Sequence, residues 1–228
     1  LARTNFGVDG TGVKIGVLSD SFNTVTSPTS ASADIAAAEL PGAANPCGYL
    51  TPFEVKRQYS GSTEEATDEG RAMAQAIHDL APGAHVMFST AFDGEPAFAQ
   101  YIEELRFTHQ ADVIVDDVVY FDEPFFQDGP VAVAVNEVVA DGAVYFSSAG
   151  NSNETLGADN ISSYETPAFR PEACPAAVTN LYPAAQCHDF DTGGGVDVGW
   201  DFSYGSGGGT LFLNLQWSEP WYGVTTDF

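Results

Sequence analysis

Positive charge is what this sequence has least of. Seven Lys and Arg stand against 32 Asp and Glu in 228 residues, a formal net charge of −25, and Lys14 and Lys56 are the only lysines. A surface of that sign repels phosphate backbones and anionic headgroups, which disfavours nucleic-acid and lipid-surface binding. It suits a secreted protein in acid, where many carboxylates are protonated, or one in high salt, where self-repulsion is screened. It equally suits a protein whose charge does no more than keep it dissolved. Long apolar runs are missing too: no stretch approaches the ~20 residues of a membrane span, so no span is expected. Three cysteines are too few for a disulfide framework. Cys174 and Cys187 flank a short proline-containing loop that a disulfide would close, in keeping with an oxidising compartment. Cys47 is then left over, either buried and free or paired with a segment outside this chain. No signal peptide is present and the chain begins at Leu1 rather than Met. We therefore expect that a leader, and a pro-segment with it, has been removed from a secreted, extracellular protein.

What is present is ordinary globular material. Hydrophobic residues make up 44%, so disorder is not the default, and the length suits one substantial α/β domain with or without an appendage. Residues 13–19 read as a buried strand. Residues 20–62, rich in Ser, Ala, Pro and Asn, read as a surface excursion with a short helix near 32–39 and a strand at 53–59. Ser62-Thr63-Glu64-Glu65 has the form of a capping box, predicting a helix from there to about Leu80, where Pro82-Gly83 stops it. A strand at 84–90, a helix at 95–107, an apolar run at 112–116, a helix near 128–140 and a run at 143–148 follow. Strands alternating with helices predict an α/β fold, a parallel sheet with helices on both faces. Near-continuous apolar strands agree with burial on both sides.

Beyond about residue 156 the texture changes. We expect a domain over 1–156, a linker or excursion over 157–186, and the start of an inserted β module of sandwich type over 187–228. Its Gly-rich, aromatic stretches include the alternating run Thr210-Leu-Phe-Leu-Asn-Leu-Gln-Trp217.

In open parallel sheets, ligands bind outside the carboxyl ends of the strands. The predicted strands end there in Ser19-Asp20, in Asp116-Asp117, and in the segment leading to Ala149-Gly150-Asn151. Each of these alone is more often a cap or turn residue, but together they point to a site. The predicted 63–80 helix adds Glu69, which the spacing aligns with an apolar stripe of Ala66, Met73, Ile77 and Leu80. A carboxylate so placed needs a partner or a raised pKa, and two carboxyls sharing a proton make a general base that works in acid. The plainer reading makes Glu69 part of an exposed cluster with Glu64, Glu65 and Asp68.

The same residues carry a family likeness. Gly10-Thr-Gly-Val-Lys-Ile-Gly-Val-Leu-Ser-Asp-Ser-Phe22 resembles the first catalytic strand of subtilisin-like serine peptidases. Glu69-Gly70-Arg-Ala-Met-Ala-Gln-Ala-Ile-His-Asp-Leu-Ala-Pro-Gly83 resembles their His-Gly-Thr helix, with Glu in place of His. Phe146-Ser-Ser-Ala-Gly-Asn151 resembles their oxyanion-hole segment. Order and spacing match over about residues 7–153. Glu for His is similar to the sedolisins, acid-acting relatives with a Ser-Glu-Asp triad. The resemblance implies a subtilisin-like fold and a secreted endopeptidase acting on polypeptides. In it Glu69 is the base, Asp20 its partner and Asn151 the oxyanion donor.

Three departures stand out. Asp20 falls one position after the subtilisin aspartate, where Ser19 stands; Met73 occupies the position of a sedolisin Asp; and Asn151 is of the subtilisin kind. Asp117 and Asp68 are therefore candidates for a replacement partner or for the cleft. Nothing resembles the Gly-Thr-Ser nucleophile block, and Gly205-Ser-Gly207 reads as structure. We expect the serine to lie in a C-terminal continuation or companion chain, and this chain alone to be inactive. The alternative is a non-catalytic extracellular structural or binding protein on a peptidase fold.

Asn153 and Asn160 open glycosylation sequons. His78, near a predicted helix C-terminus where a cation is favoured, is expected to be structural. His188-Asp189-Phe190-Asp191 lacks a second ligand pair at zinc spacing, so no metal is assigned. No cofactor is required, and calcium on surface carboxylates is compatible with an acidic secreted fold. Tyr120, Phe121, Phe125 and Phe126 are expected either to wall a substrate cleft or to join the core.

Overall fold

Apolar runs bounded by glycine, proline or polar turns build the centre of the chain. In the computed structural model the described residues are 2–62, 66–151, 155–156, 159–160, 163–200, 213–223 and 225. They fall into two compact units, Leu1–Gly150 with Asn214–Phe228, and Asn151–Leu213. The strands of the first unit are β1 (Lys14–Ser19), β2 (Glu54–Arg57), β3 (His85–Thr90), β4 (Val113–Asp116) and β5 (Val144–Ser147). They form one sheet in the order β2-β3-β1-β4-β5, with every pairing parallel. Its helices are α1 (Ala2–Phe6), α2 (Ala31–Ala36), α3 (Glu69–Leu80), α4 (Glu95–Glu103) and α5 (Pro130–Ala140).

The period-2 alternation of the strands sorts the core into two layers. Ile15 and Val17 of β1, with Val86 and Phe88 of β3, pack against Ala74, Met73 and Ile77 of α3. Leu18 and Met87 face the other way, with Ile114, onto Phe98 and Ile102 of α4 and Ala134 and Val138 of α5. Val17, Leu18, Phe88, Ile102, Leu105 and Ile114 are each fully buried, and burial of such a side chain contributes about 1.5–3 kcal/mol. Helices thus cover both faces. α3 lies on one side and α4 and α5 on the other, with β1 between β3 and β4, so the chain leaves neighbouring strands in different directions above their carboxyl ends.

Several expectations need correction. α3 starts at Glu69, not at the capping box. Residues 66–68 are not helical, Asp68 takes a left-handed φ of 57°, and 63–65 lie outside the described residues. The buried face of α3 is Gly70, Arg71, Ala74 and His78, while Leu80 is exposed; the stripe read from the sequence is rotated. The helix after β3 ends at Glu103 and continues as a π-helical turn, Glu104–Thr108. β5 is not buried on both faces: Val144 is 50% and Phe146 58% exposed on this edge strand. His78 is buried against Tyr49 and beside Asn45, and burial lowers its pKa. It is a neutral core imidazole, because desolvation outweighs any attraction of the helix end for a cation.

Residues 213–217 form no strand. The segment instead runs beside the loop after β4, where Phe125 N donates to Gln216 Oε1 at 2.8 Å and Trp221 N to Gln127 Oε1 at 2.9 Å. In the second unit the described residues form two small antiparallel ladders, and residues 201–212 of the expected β module lie outside the described residues. They are β6 (Thr155–Leu156) with β7 (Asp159–Asn160), and β8 (Pro171–Ala173) with β9 (Gln186–His188), between which lies α6 (Ala176–Thr179). Cys174 and Cys187 are disulfide-bonded beside the β8–β9 ladder. Cys47, in the first unit, is exposed and unbridged. His188 is engaged at both nitrogens: Nδ1 accepts from Arg170 N at 3.1 Å and Nε2 meets the Tyr164 hydroxyl at 3.0 Å. Asn160 lies in β7, while Asn153 and the Gly205-Ser-Gly207 loop lie outside the described residues.

One buried cation ties the 22–34 excursion to α3. Arg71 is 7% exposed and sits between Asp34 (3.2 Å) and Asp68 (2.9 Å). Its remaining donors reach Phe22 O, Val25 O and Thr29 O at 3.1–3.3 Å. Removing one member of such a group strands the others without a counter-charge. Arg71→Ala should therefore destabilise the protein by about 3–5 kcal/mol in urea unfolding; a loss below about 1 kcal/mol would show that the group is not structural.

Candidate active site

β1 ends at Ser19, which carries Asp20 to the carboxyl edge of the sheet, 2% exposed. Its Oδ2 accepts from Thr67 Oγ1 at 2.7 Å and from Thr67 N; its Oδ1 accepts from Ser21 N and, at 3.3 Å, from Gly70 N. Burial by itself raises the Asp20 pKa, but these donors outweigh it and hold the carboxyl below the usual range. Asp20 is thus a fixed anion with its oxygens already engaged. Gly70 permits this approach. A Cβ there would lie 2.3 Å from the buried Phe88 ring and 2.7 Å from Ser21 O.

Asp68, the residue before α3, is equally committed. Oδ1 accepts from Ser21 Oγ and Thr24 N, both at 2.8 Å; Oδ2 accepts from Val25 N at 3.0 Å and faces Arg71. Its backbone N–H returns a bond to Ser21 Oγ at 2.8 Å. Asp68 positions the loop and leaves no acceptor for a cleft.

Glu69 begins α3 and is not buried in its stripe; much of it reaches solvent. Its carboxyl is nonetheless raised, first by partial desolvation, then by a hydrogen bond to Asp117 and the charges of Asp117 and Asp20, with Ser19 opposing. Glu69 thus stands near Asp117 and the ionised Asp20, whose charges favour its protonated form. Elements distant in sequence, β1, α3 and the end of β4, bring the three together.

Asp116, one residue before Asp117, is 3% exposed and accepts from Ser147 Oγ at 2.8 Å. Burial raises its pKa, against the Tyr145 and Ser147 hydroxyls, and burial beside Asp116 pushes the Tyr145 phenol up as well. Asn151 is exposed and opens the second unit. Tyr120 packs on Phe98, whereas Phe121, Phe125 and Phe126 are all more than half exposed and are not core. Thr67 is the site residue that sequence reasoning missed, and no local pattern marks it. Among the described residues no group of three His, Cys, Asp or Glu is arranged to hold a metal, and no helix is long and apolar enough to cross a membrane.

No known protein-family model matches the chain, and no curated protein does.

Two measurements test this geometry. Gly70→Ala should cost about 1–3 kcal/mol in urea unfolding, because the Phe88 ring has nowhere to retreat; wild-type stability would mean the contact relaxes freely. Asp20 titrates lower folded than unfolded, so its contribution is full above the unfolded value of about 4 and disappears as pH falls through the folded one. Stability should therefore drop steeply below about pH 4, and Asp20→Asn should flatten that limb of the stability–pH curve. An unchanged limb in the variant would remove Asp20 from the account.

Proposed function

We propose that the chain is the N-terminal portion of a secreted serine endopeptidase of the subtilisin–sedolisin type, with its nucleophilic serine supplied by sequence outside these 228 residues. The observation that carries the reading is the meeting of three carboxyl groups, Glu69, Asp117 and the donor-held Asp20, at the carboxyl edge of a parallel sheet. A carboxylate of raised pKa is a general base suited to acid. Glu69 takes the serine proton as the hydroxyl attacks the peptide carbonyl and returns it to the leaving amine, and water then releases the acyl group. Asp117 is its carboxylate neighbour, a place the resemblance gave to Asp20. Asp20 acts as a fixed charge that favours the protonated form of Glu69. The oxyanion donor is named by the resemblance alone, which gives that part to Asn151.

Other features fit. The exposed apolar edge of β5, with Val144 and Phe146, suits a sheet that continues into further chain. The disulfide and the acidic composition suit an extracellular, acidic setting.

In the complete enzyme, Glu69→Gln should lower kcat by about 10³-fold or more, and Asp117→Asn should move the acid limb of the rate–pH profile. Full activity in Glu69→Gln would overturn the assignment. Absence of any fluorophosphonate-reactive serine from the native protein would leave the non-catalytic binding protein as the reading.

A further inference from the structure

At the far end of α3 from Glu69, about 13 Å along the helix, His78 lies under the chain that joins α2 to β2. It is 3% exposed. Residues 42–49 close a loop there: Gly42 N donates to Tyr49 O and Asn45 N to Gly42 O, each at 2.9 Å. The Tyr49 ring stands edge-on to the imidazole, 5.4 Å between centroids. The buried Asn45 side chain meets its Nε2 at 3.4 Å.

Backbone bonds fix which way the Asn45 amide points. Its Nδ2 donates to Leu40 O at 2.9 Å, and its Oδ1 accepts from Cys47 N at 2.8 Å. The atom turned to His78 is therefore a donor, so Nε2 must accept and the ring proton sits on Nδ1. That Nδ1 is buried and meets no partner among the described residues. An imidazolium carries a proton on both nitrogens. A proton on Nε2 would face the Asn45 N–H, and turning the amide over would break both bonds that hold it. The closed loop thus accommodates only neutral His78. Burial is the largest effect on the ring and holds its pKa below the ordinary value. Asp79 beside it on α3 favours the proton, Arg3 of α1 opposes it, and Glu39 before the loop favours it. Residues 40–53 contain no charged side chain that could take up an imidazolium.

We propose that His78 is an acid-operated latch: its protonation expels Asn45 and opens the 42–49 loop while the sheet stays folded. The latch is independent of the peptidase reading. Neutral His78 contributes fully above the unfolded value of about 6.5, and that contribution is lost as pH falls toward the lower folded value. Across that window the opening constant rises by up to tenfold per pH unit. A short surface loop held by few backbone bonds can open without the core.

The test is amide hydrogen exchange of the 228-residue chain at pH 7 and pH 5, corrected for intrinsic rates, with an NMR titration of the imidazole. Protection of the Asn45 and Cys47 amides should fall at least tenfold between the two, while that of Ala134 and Val138 in α5 stays constant. His78→Gln, neutral throughout, should give the same loop protection at both pH values. Where that variant does not fold, the wild-type titration decides: the imidazole should titrate below about 6.5, over the range in which protection is lost. Loop protection that does not change with pH, an equal loss in α5, or the same pH dependence in His78→Gln would each overturn the latch. An imidazole that titrates at its ordinary value with the loop still protected would do so too.

Discussion

The guanidinium of Arg71, desolvated between Asp34 and Asp68, sets the geometry on which the carboxyl edge of the sheet depends. It anchors the excursion that follows β1 to the first turn of α3. Asp68, held by that cation and by three donors of the 21–25 loop, keeps a left-handed backbone and fixes where α3 begins. The N–H groups of Thr67 and Gly70 then point at Asp20, and Glu69 stands beside Asp117. In a chain with so few cations, one Arg so engaged carries structural weight that its share of the composition does not convey.

Four acidic residues close together have different environments. Asp20 is buried but surrounded by donors, and is held ionised. Asp68 is buried against a cation and several N–H groups, and is structural. Glu69 is open to solvent on one side, and partial desolvation together with two neighbouring carboxylates raises its proton affinity. Asp116 is buried with two hydroxyls and the Val118 N–H as donors, and burial dominates. The difference lies in what each oxygen accepts from, since neighbouring donors and charges separate the pKa values of chemically similar groups.

The sheet was readable from apolar runs such as 13–19 and 84–90, because continuous hydrophobic segments between turn residues have few other places to go. Asp20, Glu69 and Asp117 were readable as candidates because strand ends in parallel sheets collect functional groups. The start of α3 was not. Ser62-Thr63-Glu64-Glu65 satisfies the local rule for a helix start, but the contacts of Asp68 with Ser21, Thr24 and Arg71 place the helix start at Glu69. The exposure of β5 was also hidden, since Val144 and Phe146 have the composition of a buried strand and only the strand order puts them at an edge.

Composition and pattern by themselves determined the acidic surface, the alternation of strands and helices, and the set of carboxylates near the strand ends, because each follows from residue type and short-range spacing. Tertiary structure alone decided which groups these carboxylates meet. The partners come from segments 47 residues apart for Asp20 and Thr67, and from different elements for Glu69 and Asp117. No local periodicity encodes such distances; they are set by the crossing of α3 over the sheet and by the buried charge of Arg71.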